Sequence, residues 1–131
     1  MRFAPIALVL VSLFAAVAQQ KQKQKKPPDV EVLETKARRE EARITLDGKV
    51  RVTGEKPLKG LVIVFDFRSP EKEVVTTQKT VIEEDTLETG REGVYHVEMA
   101  DAARAVRYEV RAFDFHEKEL RVSNTGPFPI E

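Results

Sequence analysis

The chain has 131 residues, a length that fits one globular domain. It contains no cysteine, which excludes disulfides, thiolate metal sites and cysteine nucleophiles. Its 22 basic and 22 acidic residues cancel to a formal net charge of zero. That balance argues against a dedicated nucleic-acid binder, because such a protein needs a basic surface to displace counterions from phosphate.

Residues 1–18 have the layout of a secretory signal peptide. Arg2 supplies a positive charge, and residues 3–17 form an apolar run too short to span a bilayer comfortably. Ala16 and Ala18 place small residues at the cleavage site. We expect cleavage after Ala18 and a periplasmic or secreted protein without stable membrane insertion after signal removal. A buried N-terminal helix and an uncleaved anchor are the alternatives.

Residues 19–29 contain no apolar side chain except proline, and this composition predicts a disordered Lys/Gln/Pro linker. Its basic residues are Lys21, Lys23, Lys25 and Lys26. We favour a solvated spacer over adhesion to anionic lipid or wall polymer, because so few lysines are marginal for membrane binding. Without these lysines and Arg2, 17 basic residues remain against 22 acidic ones, so residues 29–131 are negative overall.

Residues 30–131 are predicted to form one β-domain. Its first strand covers residues 30–33, and the charged residues 34–43 continue it as an edge strand or form a loop. In residues 44–53, Asp47 and Gly48 form a pair typical of a tight hairpin turn. A hairpin there would put charged side chains on the apolar face, whereas one continuous strand keeps the apolar side chains together. We therefore predict a single strand, with a bulge or a close backbone approach at Gly48.

Residues 58–67 form the most apolar stretch after the N-terminal run. Apolar side chains occupy both faces, which predicts a central strand. The inward set is Leu61, Ile63, Phe65 and Phe67, and the outward set is Val62 and Val64.

Further predicted strands follow, separated by residues typical of turns. They are predicted at residues 73–82, 93–99 and 106–112 and from residue 120 onward, with one helical turn at residues 101–104. Pro127 and Pro129 are expected to prevent further pairing and to protect the final edge. The pattern predicts an all-β sandwich of about seven antiparallel strands.

Two stretches resemble known β-domains. Residues 108–112, Tyr-Glu-Val-Arg-Ala, resemble the Tyr-x-Val-x-Ala stretch in the penultimate strand of fibronectin type III and related immunoglobulin-like domains. In that family the tyrosine hydroxyl bonds back to nearby backbone. Residues 50–58, Val-Arg-Val-Thr-Gly-Glu-Lys-Pro-Leu, are similar to the Val-x-Asn-x-Gly-x-x-Pro-Leu pattern of FxLYD-type domains, without its spacing.

Two further segments extend the resemblance to FxLYD-type domains. Residues 62–66 fall at the Phe-x-Leu-Tyr-Asp signature, and residues 87–91 resemble the Leu-x-Pro-Gly-Glu loop that follows it. The sequence departs from the family at Thr53, Thr89 and Arg91, and valines replace the Phe and Leu of the signature. The resemblance implies an immunoglobulin-like sandwich of the kind carried by exported bacterial proteins, and it supplies no catalytic residues.

The polar residues do not form a pattern that points to a reaction or a cofactor. His96 is predicted on the outer face of a strand and His116 in a loop, while Ser69 and Ser123 lie at strand ends, which does not favour a catalytic triad. Residues 114–117 offer three kinds of zinc ligand, but neighbouring strand residues point to opposite faces. The acidic residues 83–85 lack the ligand spacing of a calcium loop. We therefore expect no enzyme activity, no metal and no cofactor.

Phe113 and Phe115 fall out of phase with the buried face of residues 106–112. We expect a bulge to return them to the core; the alternative is an exposed aromatic contact for a partner. The sequence thus favours a non-enzymatic module for protein–protein interaction or envelope assembly, with an envelope protein as the possible partner. A carbohydrate- or polymer-binding domain is the alternative, although there is no Trp and only two Tyr to stack on sugars. The oligomeric state stays open.

Overall fold

A computed structural model describes residues 27–131, which contain ten β-strands and no helix. The strands are β1 (Val30–Glu40), β2 (Arg43–Val52), β3 (Leu58–Lys59), β4 (Val62–Arg68), β5 (Val74–Val81), β6 (Thr86–Leu87), β7 (Glu92–Ala100), β8 (Arg107–Phe113), β9 (Val122–Ser123) and β10 (Phe128–Pro129). The prediction of an all-β chain is confirmed. The predicted helical turn at residues 101–104 is instead a hydrogen-bonded turn, in which the Ala105 amide donates to the Ala102 carbonyl.

The strands form two four-stranded sheets and one short ribbon. Sheet 1 has the order β7-β2-β1-β9, sheet 2 has the order β10-β8-β4-β5, and β3 pairs with β6. All long pairings are antiparallel, and the parallel β1–β9 pair joins only two residues of each strand. The inner faces of the two sheets share one hydrophobic core, in which the Phe65 ring of β4 lies 5.1 Å from the Tyr95 ring of β7.

Strand β4 is central, as predicted, because it pairs with β5 on one side and β8 on the other. Its inward set, Leu61, Ile63, Phe65 and Phe67, is fully buried. The apolar stretch does not form one strand from its start, however. Gly60 has a φ of +59°, a conformation that suits glycine, and it separates β3 from β4.

Strand β1 continues beyond residues 30–33, so that of the two alternatives for residues 34–43, a continued strand and a loop, the continued strand is confirmed. It continues to Glu40 and then turns into β2 through Glu41 and Ala42, which both have positive φ. A register shift after Val32 lets one residue bulge, so that Ala37 and Ile44 both reach the core. The charged segment at residues 34–43 is therefore the long arm of a hairpin and not a loop.

Strand β2 is continuous, and the close approach predicted at Gly48 is confirmed. A Cβ atom on Gly48 would lie 2.1 Å from the Tyr95 hydroxyl oxygen and 2.6 Å from the Glu34 carbonyl oxygen. Only glycine fits at this position, because the inward tyrosine of β7 occupies the space. The bulge lies in the facing strand β1 and not at Gly48.

The expectation that the last prolines prevent pairing is wrong. Phe128 and Pro129 form β10 opposite Tyr108 and Arg107 of β8. Pro129 has no amide hydrogen to donate, but the pairing of β10 with β8 uses donors on other residues. The Ile130 amide donates to the Val106 carbonyl, and the Val110 amide donates to the Thr125 carbonyl. The predicted strand from residue 120 is short, Val122–Ser123, and pairs with the start of β1.

The predicted signal peptide, residues 1–18, and residues 19–26 of the predicted linker lie outside the described part of the chain. The last linker residues contact the domain. The Asp29 carbonyl accepts hydrogen bonds from the amides of Thr53 and Gly54, and the Asp29 carboxylate accepts one from the Arg121 amide. Within residues 27–131 we find no helix of the length and apolarity needed to cross a membrane.

Candidate interaction surface

An apolar row crosses the outer face of sheet 2 at one end. Val62 of β4 lies opposite Val81 of β5 on one side and opposite Phe113 of β8 on the other. Residues directly opposite one another project from the same face, so the three side chains form a continuous row. Val81 is 61% exposed, while Val62 and Phe113 are half-buried.

Phe115 extends this row at the same end of the sheet. Its side chain is 63% exposed and packs over Gly60, where an added Cβ would lie 3.3 Å from its ring. The Lys59 ammonium nitrogen lies 5.6 Å from the ring centroid. The expectation that a bulge returns both phenylalanines to the core is therefore wrong, because β8 ends at Phe113 and the chain turns outward. We call Val62, Val81, Phe113 and Phe115 the apolar patch.

Charged side chains border the apolar patch along sheet 2. The Arg111 guanidinium donates two hydrogen bonds to the Asp66 carboxylate, at 2.7 and 3.0 Å, and lies 5.5 Å from the Phe113 ring centroid. Thr77 donates a third hydrogen bond to Asp66 at 3.1 Å. Burial on its own would raise the pKa of Asp66, but these hydrogen bonds and the nearby arginines outweigh it and hold the pKa below 3.8.

The outer face of sheet 1 is mostly charged, with Val94 as its exposed apolar side chain. Arg51 lies 3.1 Å from Glu92 and 3.9 Å from Glu31, and Lys49 lies 3.7 Å from Glu92. Next to them His96 donates a hydrogen bond from Nδ1 to Asp47 at 2.5 Å. This hydrogen bond, together with the Asp47 charge, raises the pKa of His96 above 6.5. The charges on this face are thus largely matched by neighbours.

The structure separates the residues considered for catalysis and metal binding. His96 has a carboxylate partner on sheet 1, whereas Ser69 is fully buried beyond β4 and its Oγ accepts a hydrogen bond from the Glu73 amide. In residues 114–117, which were considered and not favoured as zinc ligands, Asp114 accepts hydrogen bonds from the amides of His116 and Lys118, so it stabilises a turn. Residues 27–131 contain no cluster of three or more side chains placed to hold a metal ion.

The hydroxyls of two buried tyrosines and of the half-buried Thr35 meet between the two sheets, and the sequence analysis missed this cluster. Thr35 Oγ1 lies 2.6 Å from the Tyr95 hydroxyl and 2.7 Å from the Tyr108 hydroxyl. Burial raises the pKa of both tyrosines, so both are neutral at physiological pH. The Tyr108 hydroxyl thus joins β8 to β1 and does not bond to nearby backbone as the resemblance implied. An open depression of about 760 Å³ passes beside Thr35. The cluster ties the two sheets together.

Comparison with known proteins gives no family for this chain. No family model matches the sequence, and no curated protein matches it. Among solved structures, a β-glucuronidase from Bacteroides uniformis superposes with a TM-score of 0.48 at 16% identity, covering 71% of this chain and 12% of the enzyme. An alkylpurine DNA glycosylase from Pseudomonas fluorescens gives 0.44 at 15% identity, covering 79% and 31%. A β-glucosidase from Kluyveromyces marxianus gives 0.40 at 16% identity, covering 86% and 16%. The chain therefore spans less than a third of each of these proteins.

Proposed function

We propose that this protein is an exported, non-enzymatic β-sandwich module that binds an envelope protein through the apolar patch. The observation that carries the proposal is the exposure of Phe115 and Val81 at the end of sheet 2 where Val62 and Phe113 are half-buried. A partner that covers this end of sheet 2 would remove an aromatic ring and an aliphatic side chain from water. The proposed export rests on residues 1–18.

The composition of the patch resembles the centre and border of a protein–protein interface. Aromatic residues and arginine are enriched at such interfaces, and charged groups lie at their rims. Here Lys59 and Arg111 stand beside the two phenylalanine rings. We therefore expect the partner to present an apolar segment flanked by carboxylates, which would meet the two cations.

We further propose that the domain is immunoglobulin-like, of the FxLYD or fibronectin type III kind. Two strand pairings support this: β2 lies next to β7 in one sheet, and β4 lies next to β8 in the other. In immunoglobulin-like sandwiches the second and fifth strands pair in one sheet, and the third and sixth pair in the other. The inward Tyr108 of β8 also occupies the place of the family tyrosine, although its hydroxyl has a different partner.

Carbohydrate binding is the second candidate, and the exposed ring of Phe115 is the observation that favours it. Glycan sites stack sugars on aromatic faces, and Phe115 is the one aromatic side chain exposed in residues 27–131. Lys59 lies over that ring, however, which limits the face left for a sugar.

A photo-crosslinking amino acid placed at position 115 or 81 tests the proposal in cells that produce the full chain. Position 94 is the matched control, because Val94 is also exposed but lies on the outer face of sheet 1. We expect the same discrete protein adduct from positions 115 and 81 and none from position 94. Equal labelling from all three positions would contradict a specific patch. Binding to a glycan array that is lost in Phe115→Ala would instead support the carbohydrate candidate.

A further inference from the structure

Strand β5 is a long sheet edge with little protection against pairing. The edges of the described sheets are β7 and β9 in sheet 1 and β5 and β10 in sheet 2. β9 and β10 have two residues each, and β7 carries Glu92, His96 and Glu98. β5 runs for eight residues without proline or glycine, and Lys79 is its single charged side chain. Its one irregularity is a bulge at Val75, near the start of the strand, and the ladder from Thr76 to Val81 is regular. Folded proteins normally shorten, charge or cover such an edge.

The backbone groups on the free side of β5 can be assigned from the ladder with β4. The Ile82 amide donates to the Leu61 carbonyl, directly across from it. Hydrogen-bonded and non-hydrogen-bonded pairs alternate in an antiparallel ladder. The amides and carbonyls of Val81, Lys79 and Thr77 therefore point away from β4. No strand within residues 27–131 pairs with them, so three donor and acceptor pairs face outward in a row.

We propose that β5 pairs with β5 of a second copy of this chain, antiparallel and about a two-fold axis at Gln78. The two copies of sheet 2 then join into one continuous eight-stranded sheet. A two-fold axis normal to the sheet places one residue opposite its own copy and keeps the outer faces of both sheets on the same side.

The sequence of β5 selects Gln78 as the residue on the axis. Around it, Thr77 lies opposite the partner's Lys79 and Thr76 opposite the partner's Thr80, while Val81 meets the partner strand at the bulge that contains Val75. Pairs of threonines and pairs of β-branched residues are favourable neighbours across strands. The outward backbone groups of Thr77 and Lys79 also meet their counterparts in hydrogen-bonded pairs. The exposed Val81 gains an apolar neighbour.

The neighbouring registers are less favourable. An axis at Lys79 puts two ammonium groups directly opposite each other, which is destabilising. An axis at Thr77 puts Val75 opposite Lys79 and the exposed Val81 opposite Glu73, so that both valines meet a charge. An axis at Gln78 gives no like-charged pair between Val75 and Val81. A self-complementary strand of this kind fits a second copy of the chain better than an arbitrary extended peptide.

The proposed dimer shares one residue with the apolar patch, Val81, and does not involve Phe113 or Phe115. An adduct from position 115 therefore tests the proposed function, and the variants of β5 test the dimer. The contact is one strand wide, and we therefore expect a weak, concentration-dependent dimer. Each half of the joined sheet keeps its apolar patch on the common outer face. The dimer would present two such patches to a partner.

Single cysteines test the register directly, because the chain has none of its own. Gln78→Cys places two thiols at directly opposed, non-hydrogen-bonded positions, where Cα atoms lie about 4.5 Å apart and a disulfide can form. Val94→Cys is the matched exposed control on sheet 1. We expect Gln78→Cys to form a disulfide dimer at least about tenfold faster than Val94→Cys in mild oxidant. Equal rates would overturn the proposal.

Two further variants test the association in solution by sedimentation velocity of the full chain. Gln78→Glu is nearly isosteric and places two carboxylates opposite each other on the axis. We expect it to weaken dimerisation about tenfold at pH 7 and to recover near pH 4. Lys79→Pro removes an amide that points to the free side and should abolish the dimer without breaking the ladder to β4. A wild-type chain that stays monomeric at every concentration, or a dimer unaffected by either variant, would show that β5 does not pair with itself.

Discussion

The outer faces of the two sheets differ in the kinds of side chain that they expose to solvent. On sheet 1, charged residues of opposite sign face each other across β2 and β7, and the exposed Val94 stands among them. On sheet 2, the outer face holds Val64 at 5% exposure and an Asp66 carboxylate that is nearly covered. The outer face of sheet 1 thus exposes mainly charged side chains to solvent. The outer face of sheet 2 has buried side chains at its centre, and the apolar patch lies on this face.

The difference in exposure between the two faces depends on the strands and side chains next to each residue, and not on the sequence of the strand alone. Val64 and Val94 are both valines on outer faces, but Val64 lies in a central strand between Lys79 and Arg111. The aliphatic stems of long basic side chains can cover an apolar neighbour while their charges stay in water. Val94 lies in the edge strand β7 and has a neighbouring strand on one side only, with Lys49 opposite it.

The largest effect that separates the two faces is expected from matched valine-to-lysine changes. Val64→Lys places a third cation between Lys79 and Arg111 at a buried site, and we expect it to lower the free energy of unfolding by about 3 kcal/mol. Val94→Lys changes an exposed site, with an expected loss within about 0.5 kcal/mol. Urea unfolding of the two variants measures both. Equal losses would show that the two faces are equivalent.

Replacing one arginine on each outer face should give the next largest difference in the loss of stability. Arg111→Ala leaves the Asp66 carboxylate nearly covered with Thr77 as its remaining hydrogen-bond donor, at a cost of about 1–3 kcal/mol. Arg51→Ala breaks ion pairs that are open to water, which contribute about 0–1 kcal/mol. Urea unfolding at pH 7 measures the free energy of unfolding of both variants.

The cost of Arg111→Ala should also depend on pH. The folded-state pKa of Asp66 is held below its unfolded value, so the stabilising effect of the Asp66–Arg111 pair is fully present above that unfolded value. The effect is lost as the pH falls through the folded-state pKa. The difference between wild type and Arg111→Ala should therefore be constant from pH 5 to 7 and shrink below about pH 4. A difference that does not shrink in acid would assign the loss to packing and not to charge.

The strands that carry the core could be predicted from periodicity, because alternation of apolar and polar residues fixes which side chains turn inward. That reasoning found the central β4, the continuous β2 and the tight contact at Gly48. Periodicity was not sufficient where the pairing of one strand with another decides which side chains face inward. For the charged run after Leu33 it left a continued strand and a loop as alternatives, since the inward residues of that strand are Thr35, Ala37 and Arg39. Arg39 is held there by hydrogen bonds to Asp101 and to the carbonyls of Ala102 and Ala105.

The candidate surface was accessible to sequence reasoning in part. Phe113 and Phe115 were recognised because they break the phase of β8. Val62 and Val81 were not added to them, because both depend on the pairing of β4 with β8, two strands that are distant in sequence, to lie beside Phe113. The Thr35–Tyr95–Tyr108 cluster was missed for the same reason. Its one local signal was the glycine that makes room for Tyr95.

The smallest expected effect probes the charge matching on sheet 1. His96 lies directly opposite Asp47 in the β2–β7 register, and the hydrogen bond and charge of Asp47 raise the pKa of His96 above 6.5. Asp47→Asn should therefore lower the midpoint of the His96 imidazole titration, followed by NMR and assigned with His116→Gln. The stabilising contribution of the pair is present below the unfolded pKa of about 6.5 and is lost as the pH rises through the folded-state pKa.

Glu92→Gln is the control for this titration, because it removes a carboxylate from the same face that pairs with Lys49 and Arg51 and not with His96. It should leave the midpoint nearly unchanged. If Asp47→Asn and Glu92→Gln shift the His96 titration equally, then His96 senses the overall field of the face and not one partner. The residue-by-residue matching that distinguishes sheet 1 from sheet 2 would then be absent at this position.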